Sequence, residues 1–136
     1  MIAIEVQHYR NRARDFLNGM NLLKDDLNSV RLSTALLGIH CAISYCDALR
    51  TGMGCSDVSS DDHRSASVDL KSRLAERKFE KLQGADRLGK LLSKKTRIAY
   101  AAEAATEAEI RDIVLQAERF ADWAEEAGRK LKIEGW

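Results

Sequence analysis

The sequence of 136 residues has no proline, only three cysteines and almost no net charge. Without proline, no helix is forced to break at a residue that lacks an amide hydrogen, and this favours long helices. A formal net charge of +1 excludes binding to polyanions through overall charge, so any basic patch has to be local. A chain of this length is expected to form one domain with a substantial core.

The cysteines are Cys41, Cys46 and Cys55, an odd number without a CxxC spacing. This pattern argues against a disulfide framework and a zinc knuckle, and it fits a reducing compartment. The N-terminal residues lack the apolar core of a signal peptide, and no apolar run approaches the length of a membrane span. We therefore expect a cytoplasmic protein without a metal ion or other cofactor.

The apolar residues that are present recur at helical spacing. In the first predicted helix they form one stripe at steps of three and four. They are Tyr9, Ala13, Phe16, Met20, Leu23 and Leu27. The following segment, VRLSTALLGIHCAISYCDAL, is apolar or small on nearly every face, which is typical of a central helix.

The sequence predicts an all-α fold over residues 1–136, an antiparallel, up-and-down bundle of four main helices and one shorter helix. Gly84 is expected to separate the third and fourth helices, and Thr106 with Glu109 to form a capping box before the last. The predicted helices lie near residues 5–26, 29–51, 60–82, 86–103 and 107–132.

Residues 59–67, SSDDHRSAS, have two interpretations. In the first, Ser59 or Ser60 caps the third helix while Asp61 and Asp62 lie in its first turn, where negative charge meets the exposed amides. In the second, the cluster is the polar wall of a site. Capping does not require His63, because a protonated histidine is disfavoured at a helix N-terminus.

Charge is segregated along the chain. Residues 64–97 contain eleven Lys or Arg and four Asp or Glu, whereas residues 103–126 contain two Arg and eight Asp or Glu. Either these segments neutralise each other, or some of the cations hold a phosphate. The cations concerned are Lys90, Lys94, Lys95 and Arg97.

His40 and Asp47 lie seven residues apart, and thus on one face of the central helix. Two such groups do not make a metal site, so core packing is the favoured explanation. A buried Cys41 without a nearby cation would be unreactive, and no serine has a recognisable His and Asp partner.

Four segments in order resemble the HEPN domain family, named for a nucleotide-binding domain of higher eukaryotes and prokaryotes. His40 to Leu49 fits H-x-A-x-x-x-x-D-A-L, and Asp62-His63 begins the following helix. The segment from Lys95 to Tyr100 then supplies a basic residue and a tyrosine. The last helix has the pattern A-x-x-F-x-x-W, at Ala117, Phe120 and Trp123.

The resemblance implies a helical bundle that commonly dimerises. Many members are ribonucleases whose Arg-x(4–6)-His motif forms the cleavage site at the dimer. Here Ser56, Asp57 and Val58 stand where that arginine would precede His63, and residues 33–35 before His40 contain none either. This departure favours a module without catalytic activity.

We therefore expect a ligand site where the third helix begins near the end of the fourth, because a helix N-terminus beside lysines suits an anion. Its candidate residues are Asp47, Asp62, His63, Lys94, Lys95 and Tyr100. Asp47 would orient the histidine. The alternative is a plain cap with a structural hydrogen bond from His63 to Asp47 or Tyr100.

The function expected is that of a non-catalytic, homodimeric HEPN-like binding or assembly module associated with a nucleotide or RNA. It would be one component of a two-protein system of the toxin–antitoxin or defence type, with a protein partner encoded nearby. The alternatives are a ribonuclease with a nonstandard site and a structural dimer that binds another protein.

Overall fold

The structure is a computed structural model that describes residues 1–58, 62–100 and 105–136. Over these ranges it has five helices and no strand, so the predicted all-α bundle is confirmed. The helices are α1 (Ile2–Leu23), α2 (Leu27–Gly52), α3 (His63–Glu76), α4 (Gln83–Tyr100) and α5 (Glu107–Lys130). The shortest of them is α3.

Helix α2 is the centre of the bundle, as its composition predicted, and it contacts all four other helices. Ala35, Ile39 and Ala42 are completely buried, whereas Ile43 is half-buried. Gly38 allows close approach, because a Cβ atom there would lie 2.9 Å from the sulfur of Met20. Small residues on α2 thus bring the neighbouring helices close to its axis.

A half-buried carboxylate joins three helices on one side of the bundle. Glu125 of α5 accepts hydrogen bonds from Arg10 Nη2 at 2.8 Å, Arg14 Nε at 2.9 Å and Tyr45 Oη at 2.6 Å. Burial alone would raise the pKa of Glu125, but these hydrogen bonds outweigh burial and lower it to about 2. The residue therefore stays ionised while it connects α1 and α2 to α5.

Helix α3 differs at both ends from the sequence prediction. Its N-cap is Asp62, whose carboxylate accepts the Ser65 amide at 2.7 Å, whereas Ser59, Ser60 and Asp61 lie outside the described residues. The helix ends at Glu76, not near residue 82. Lys78 has a left-handed φ of 58°, and the Phe79 amide bonds back to the Leu74 carbonyl.

Gly84 does not separate two helices, which corrects the prediction. It lies in the first turn of α4, where a Cβ atom would overlap the Trp123 ring of α5. The predicted capping box of α5 is confirmed, with the Glu109 amide 3.1 Å from the Thr106 hydroxyl. Residues 101–104, the region of the expected end of the fourth helix, are outside the described ranges.

One described helix, α2, is long and apolar enough to cross a membrane by length and composition. This differs from the expectation from the sequence that no apolar run approaches the length of a membrane span. Because 61% of the apolar window is buried inside the protein, the helix also fits the core helix of a soluble bundle.

Candidate functional site

The start of α3 and the end of α4 meet at His63 and Lys95. Lys95 Nζ lies 2.9 Å from His63 Nε2, and both side chains are half-buried. Because an ammonium group can only donate, Nε2 accepts and the neutral ring carries its proton on Nδ1. Burial lowers the pKa of His63, and the charge of Lys95 lowers it further.

A second histidine lies close to this pair. His40 of α2 packs against the Phe16 ring, with 5.7 Å between ring centroids. Burial lowers its pKa, and the charges of Lys95 and His63 add to that effect. Three basic groups from three helices therefore influence one another electrostatically. In the described part of the chain, Lys95 forms no ion pair with a carboxylate.

A groove of about 430 Å³ between α3 and α4 opens beside His63. Its polar side chains are those of His63, Arg64, Ser67 and Ser93, and its apolar lining includes Val68, which is 65% exposed. Gly89 keeps the helices close, since a Cβ atom there would lie 3.2 Å from Ser67 Oγ. The groove can accept a small ligand that has both a polar and an apolar part.

The other candidate residues have different surroundings. Asp62 is the exposed cap of α3, and the hydrogen bond from the Ser65 amide lowers its pKa. Lys94 points toward α5, where its ammonium group lies 3.1 Å from the Asp112 carboxylate. The side chain of Tyr100 is outside the described part of the structure, so the expected convergence of lysine and tyrosine is not described.

Asp47 lies farther along α2, near Tyr9 and Arg12 of α1. Burial raises its pKa to about 6, and the charges of Arg50 and Arg12 oppose that rise. Asp47 is not among the groups that shift the pKa of His63. The suggested role of Asp47 in orienting His63 therefore has no support in these contacts.

Ion pairs join the basic and acidic segments of the chain. Besides Lys94 with Asp112, Arg97 pairs with Glu109 of α5, and Lys81 lies 3.3 Å from Glu126. Three basic side chains from residues 64–97 are thus neutralised by carboxylates of α5. Lys95 differs from these lysines in facing His63.

Three groove residues were not predicted from the sequence: Arg64, Ser67 and Ser93. Ser67 follows His63 by four residues and therefore shares its helical face, a signal that the spacing contained. The contribution of Ser93 comes from the packing of α4 on α3, which no local pattern indicates.

The described residues give little support for nucleophilic catalysis or for metal binding. Burial raises the pKa of Cys41 to about 12, so its thiol stays protonated at neutral pH. Burial also raises the pKa of Cys46. The described residues contain no group of three or more His, Cys, Asp or Glu arranged to hold a metal ion.

Comparison with known proteins gives no match to a family model, a curated protein or a solved structure.

Proposed function

We propose that the protein is a non-catalytic HEPN-like module that binds a phosphate-bearing ligand, a nucleotide or an RNA end, in the groove between α3 and α4. The single observation that supports this best is the contact between Lys95 Nζ and His63 Nε2: a lysine that has no carboxylate partner among the described residues contacts a histidine that lines a ligand-sized groove. An anion there would accept hydrogen bonds from Lys95 and, once protonated, from His63.

The groove supplies further contacts that suit a nucleotide. Arg64, Ser67 and Ser93 offer hydrogen-bond donors, and Val68 and Leu92 offer an apolar surface for a base or sugar. The phosphate would lie at the His63 end of the groove and the apolar part at the Val68 end.

The module would act in the cytoplasm as a homodimer, together with a protein partner encoded nearby, as a component of a toxin–antitoxin or defence-type system. The resemblance to the HEPN family is the basis for these proposals. Light scattering tests the dimer, and purification with the neighbouring gene product tests the partner.

Calorimetry with AMP and with adenosine tests the ligand site. We expect AMP to bind and adenosine to bind much more weakly. Loss of one charge-assisted hydrogen bond in Lys95→Met should weaken AMP binding by roughly 10- to 100-fold. The matched control is Lys94→Met, the adjacent lysine that pairs with Asp112, which should leave the affinity within about twofold.

Equal effects of the two lysine substitutions, or equal binding of AMP and adenosine, would contradict the proposal. The same preparation incubated with RNA distinguishes the ribonuclease alternative. Cleavage that is abolished in His63→Gln would show that the protein is a ribonuclease with His63 as a general base, and not a non-catalytic binding module.

A further inference from the structure

A second groove, strongly basic, lies where the ends of α3 and α5 come together. The turn after α3 has the sequence RKFEK, residues 77–81, and the sequence RKLK, residues 129–132, spans the end of α5. These nine residues contain six Lys or Arg and one Glu. The groove between them has a volume of about 280 Å³ and is lined by residues 77–81, Lys130 and Leu131. We call it the basic groove.

Cations outnumber carboxylates around the basic groove. Lys81 and Lys130 share one carboxylate, that of Glu126, at 3.3 Å and 2.8 Å. Lys78 is exposed, and over the residues that the structure describes its ammonium group has no hydrogen bond or ion pair. The acidic residue of the lining is Glu80. The basic groove therefore keeps an excess of positive charge, although the whole chain is nearly neutral.

Two lysines beside the ends of α3 and α5 have a backbone conformation that favours glycine. Lys78 has a φ of 58° and Lys132 a φ of 54°. Glycine adopts this left-handed conformation without the steric cost of a Cβ atom. Each lysine thus supplies a positive charge at a position where glycine would have the lower conformational energy.

The basic groove also has an apolar part. Phe79 and Leu131 are half-buried and pack against the core. Phe79 stacks on Trp123, with 6.0 Å between the ring centroids. Apolar surface surrounded by lysines suits a ligand in which an apolar group is flanked by negative charges.

The surroundings favour an acidic peptide over a nucleic-acid strand. The basic groove lies at the C-termini of two helices, where the partial negative charge repels a phosphate. A peptide can donate its amide N–H groups to the carbonyl oxygens at such ends, whereas a phosphodiester linkage has no donor. Proteins that bind single strands stack bases on exposed aromatic rings, but Phe79 is half-buried against Trp123.

We propose that the basic groove binds an acidic segment of another protein. An apolar side chain of that segment contacts Phe79 and Leu131. The flanking carboxylates pair with Lys78, Lys81 and Lys130.

This site is separate from the groove beside His63. The two lie at opposite ends of α3, which has 14 residues and is therefore about 20 Å long. The inference goes beyond the ligand proposed above and does not depend on it.

Fluorescence anisotropy with a synthetic peptide tests the proposal. The probe is a labelled peptide of about ten glutamates interrupted by a central pair of leucines, and we expect a dissociation constant of about 10–100 μM at low ionic strength. The same peptide with serines in place of the leucines should bind about 5- to 10-fold more weakly, because it lacks the apolar contact.

Two double variants with the same change in net charge locate the site. Lys78→Gly with Lys81→Met removes two cations from the basic groove and should weaken peptide binding about 5- to 20-fold. Lys24→Met with Arg111→Met is the matched control, in a groove of about 250 Å³ whose lining has two cations and two carboxylates. This control should leave the affinity within about twofold.

Lys78→Gly alone separates binding from folding. Because glycine suits a φ of 58°, this variant should melt at a temperature no lower than that of the wild type. It should nevertheless bind the peptide about two- to fivefold more weakly, since one cation is lost.

No binding of the leucine peptide at about 1 mM, or equal losses of affinity in the two double variants, would overturn the inference. So would a strand of about ten uridines that binds more tightly than the peptide and loses that affinity in Lys78→Gly with Lys81→Met, because the basic groove would then be a nucleic-acid site. Lys95→Met, which tests the AMP site, should bind the peptide with wild-type affinity, so the two proposals can fail separately.

Discussion

Glu125 shows how one side chain can stabilise the contact of several helices. Its carboxylate accepts hydrogen bonds from Arg10, Arg14 and Tyr45, and its side chain is 23% exposed. We predict that Glu125→Gln lowers the free energy of unfolding at pH 7 by on the order of 3 kcal/mol, because two arginines lose their counter-charge.

Urea denaturation measures this loss, and Glu118→Gln is the matched control. Glu118 pairs with Lys24, but both side chains are more than a third exposed, so we expect less than about 1 kcal/mol. Equal losses in the two variants would contradict the role assigned to Glu125.

The same residue predicts how stability depends on acid. The pKa of Glu125 in the folded protein is about 2, below its ordinary value of 4.5. The unfolded chain therefore binds a proton before the folded protein does, and stability falls as pH falls from about 5 toward 2. In Glu125→Gln, the urea denaturation midpoints measured over this pH range should depend less on pH than in the wild type. The same pH dependence in both proteins would argue that the pKa of Glu125 is not lowered by folding.

The His63 and Lys95 contact makes a separate prediction for histidine titration. Burial and the charge of Lys95 lower the pKa of His63, so its ring should titrate below 6.5 in a nuclear magnetic resonance experiment. Lys95→Met should raise that pKa toward 6.5, whereas Lys94→Met should leave it unchanged. If both substitutions had the same effect, the 2.9 Å contact would not be present in solution.

At the scale of elements, two glycines of α4 should respond differently to the same substitution. A Cβ atom at Gly84 would overlap the Trp123 ring, so Gly84→Ala should destabilise the protein by several kcal/mol. A Cβ atom at Gly89 would meet only the Ser67 hydroxyl, at 3.2 Å, and that group can rotate. Gly89→Ala should therefore leave the free energy of unfolding unchanged or raise it by up to about 1 kcal/mol, because alanine has a higher helix propensity than glycine.

Thermal denaturation of the two alanine variants tests this contrast. A Gly84→Ala protein as stable as the wild type would mean that Trp123 does not pack on the first turn of α4. Loss of stability in Gly89→Ala comparable to that in Gly84→Ala would mean that α3 and α4 are closer than the structure indicates.

The sequence predicted those elements whose signals are local. The composition of α2 indicated a central helix, and Thr106 with Glu109 indicated the start of α5. The end of α3 was missed because a lysine, Lys78, adopts the left-handed conformation that usually indicates glycine. Gly84 suggested a break, but its small size serves a tertiary contact with Trp123 that no local pattern reveals.

The candidate site was predictable to a similar extent. The sequence predicts His63 and Lys95 as site residues. It also suggests Lys94 beside them, although adjacent residues point about 100° apart on a helix. That geometry alone could have assigned Lys94 to another face, where it meets Asp112. The groove residues could not be predicted without knowing how α3 packs on α4.

At the scale of the whole molecule, the burial of Asp47 between α1 and α2 makes stability depend on pH. In the single chain, burial raises the pKa of Asp47 from 3.8 to about 6, so the folded protein binds its proton more readily than the unfolded chain. This residue alone would increase stability as pH falls from 6 toward 4. At pH 7 its buried charge therefore costs the folded monomer about 1–3 kcal/mol.

We predict that Asp47→Asn melts at a higher temperature than the wild type at pH 7, because asparagine has a similar size and leaves no buried charge. This difference should shrink as pH falls from 6 toward 4, where the Asp47 carboxyl of the folded wild type takes up its proton. Calorimetric scans over this pH range measure the difference, with Asp112→Asn as the control. Because Asp112 pairs with Lys94 at the surface, Asp112→Asn should have a small effect that does not stabilise the protein. A melting-temperature difference between Asp47→Asn and the wild type that is the same at every pH would show that burial does not disfavour the Asp47 carboxylate.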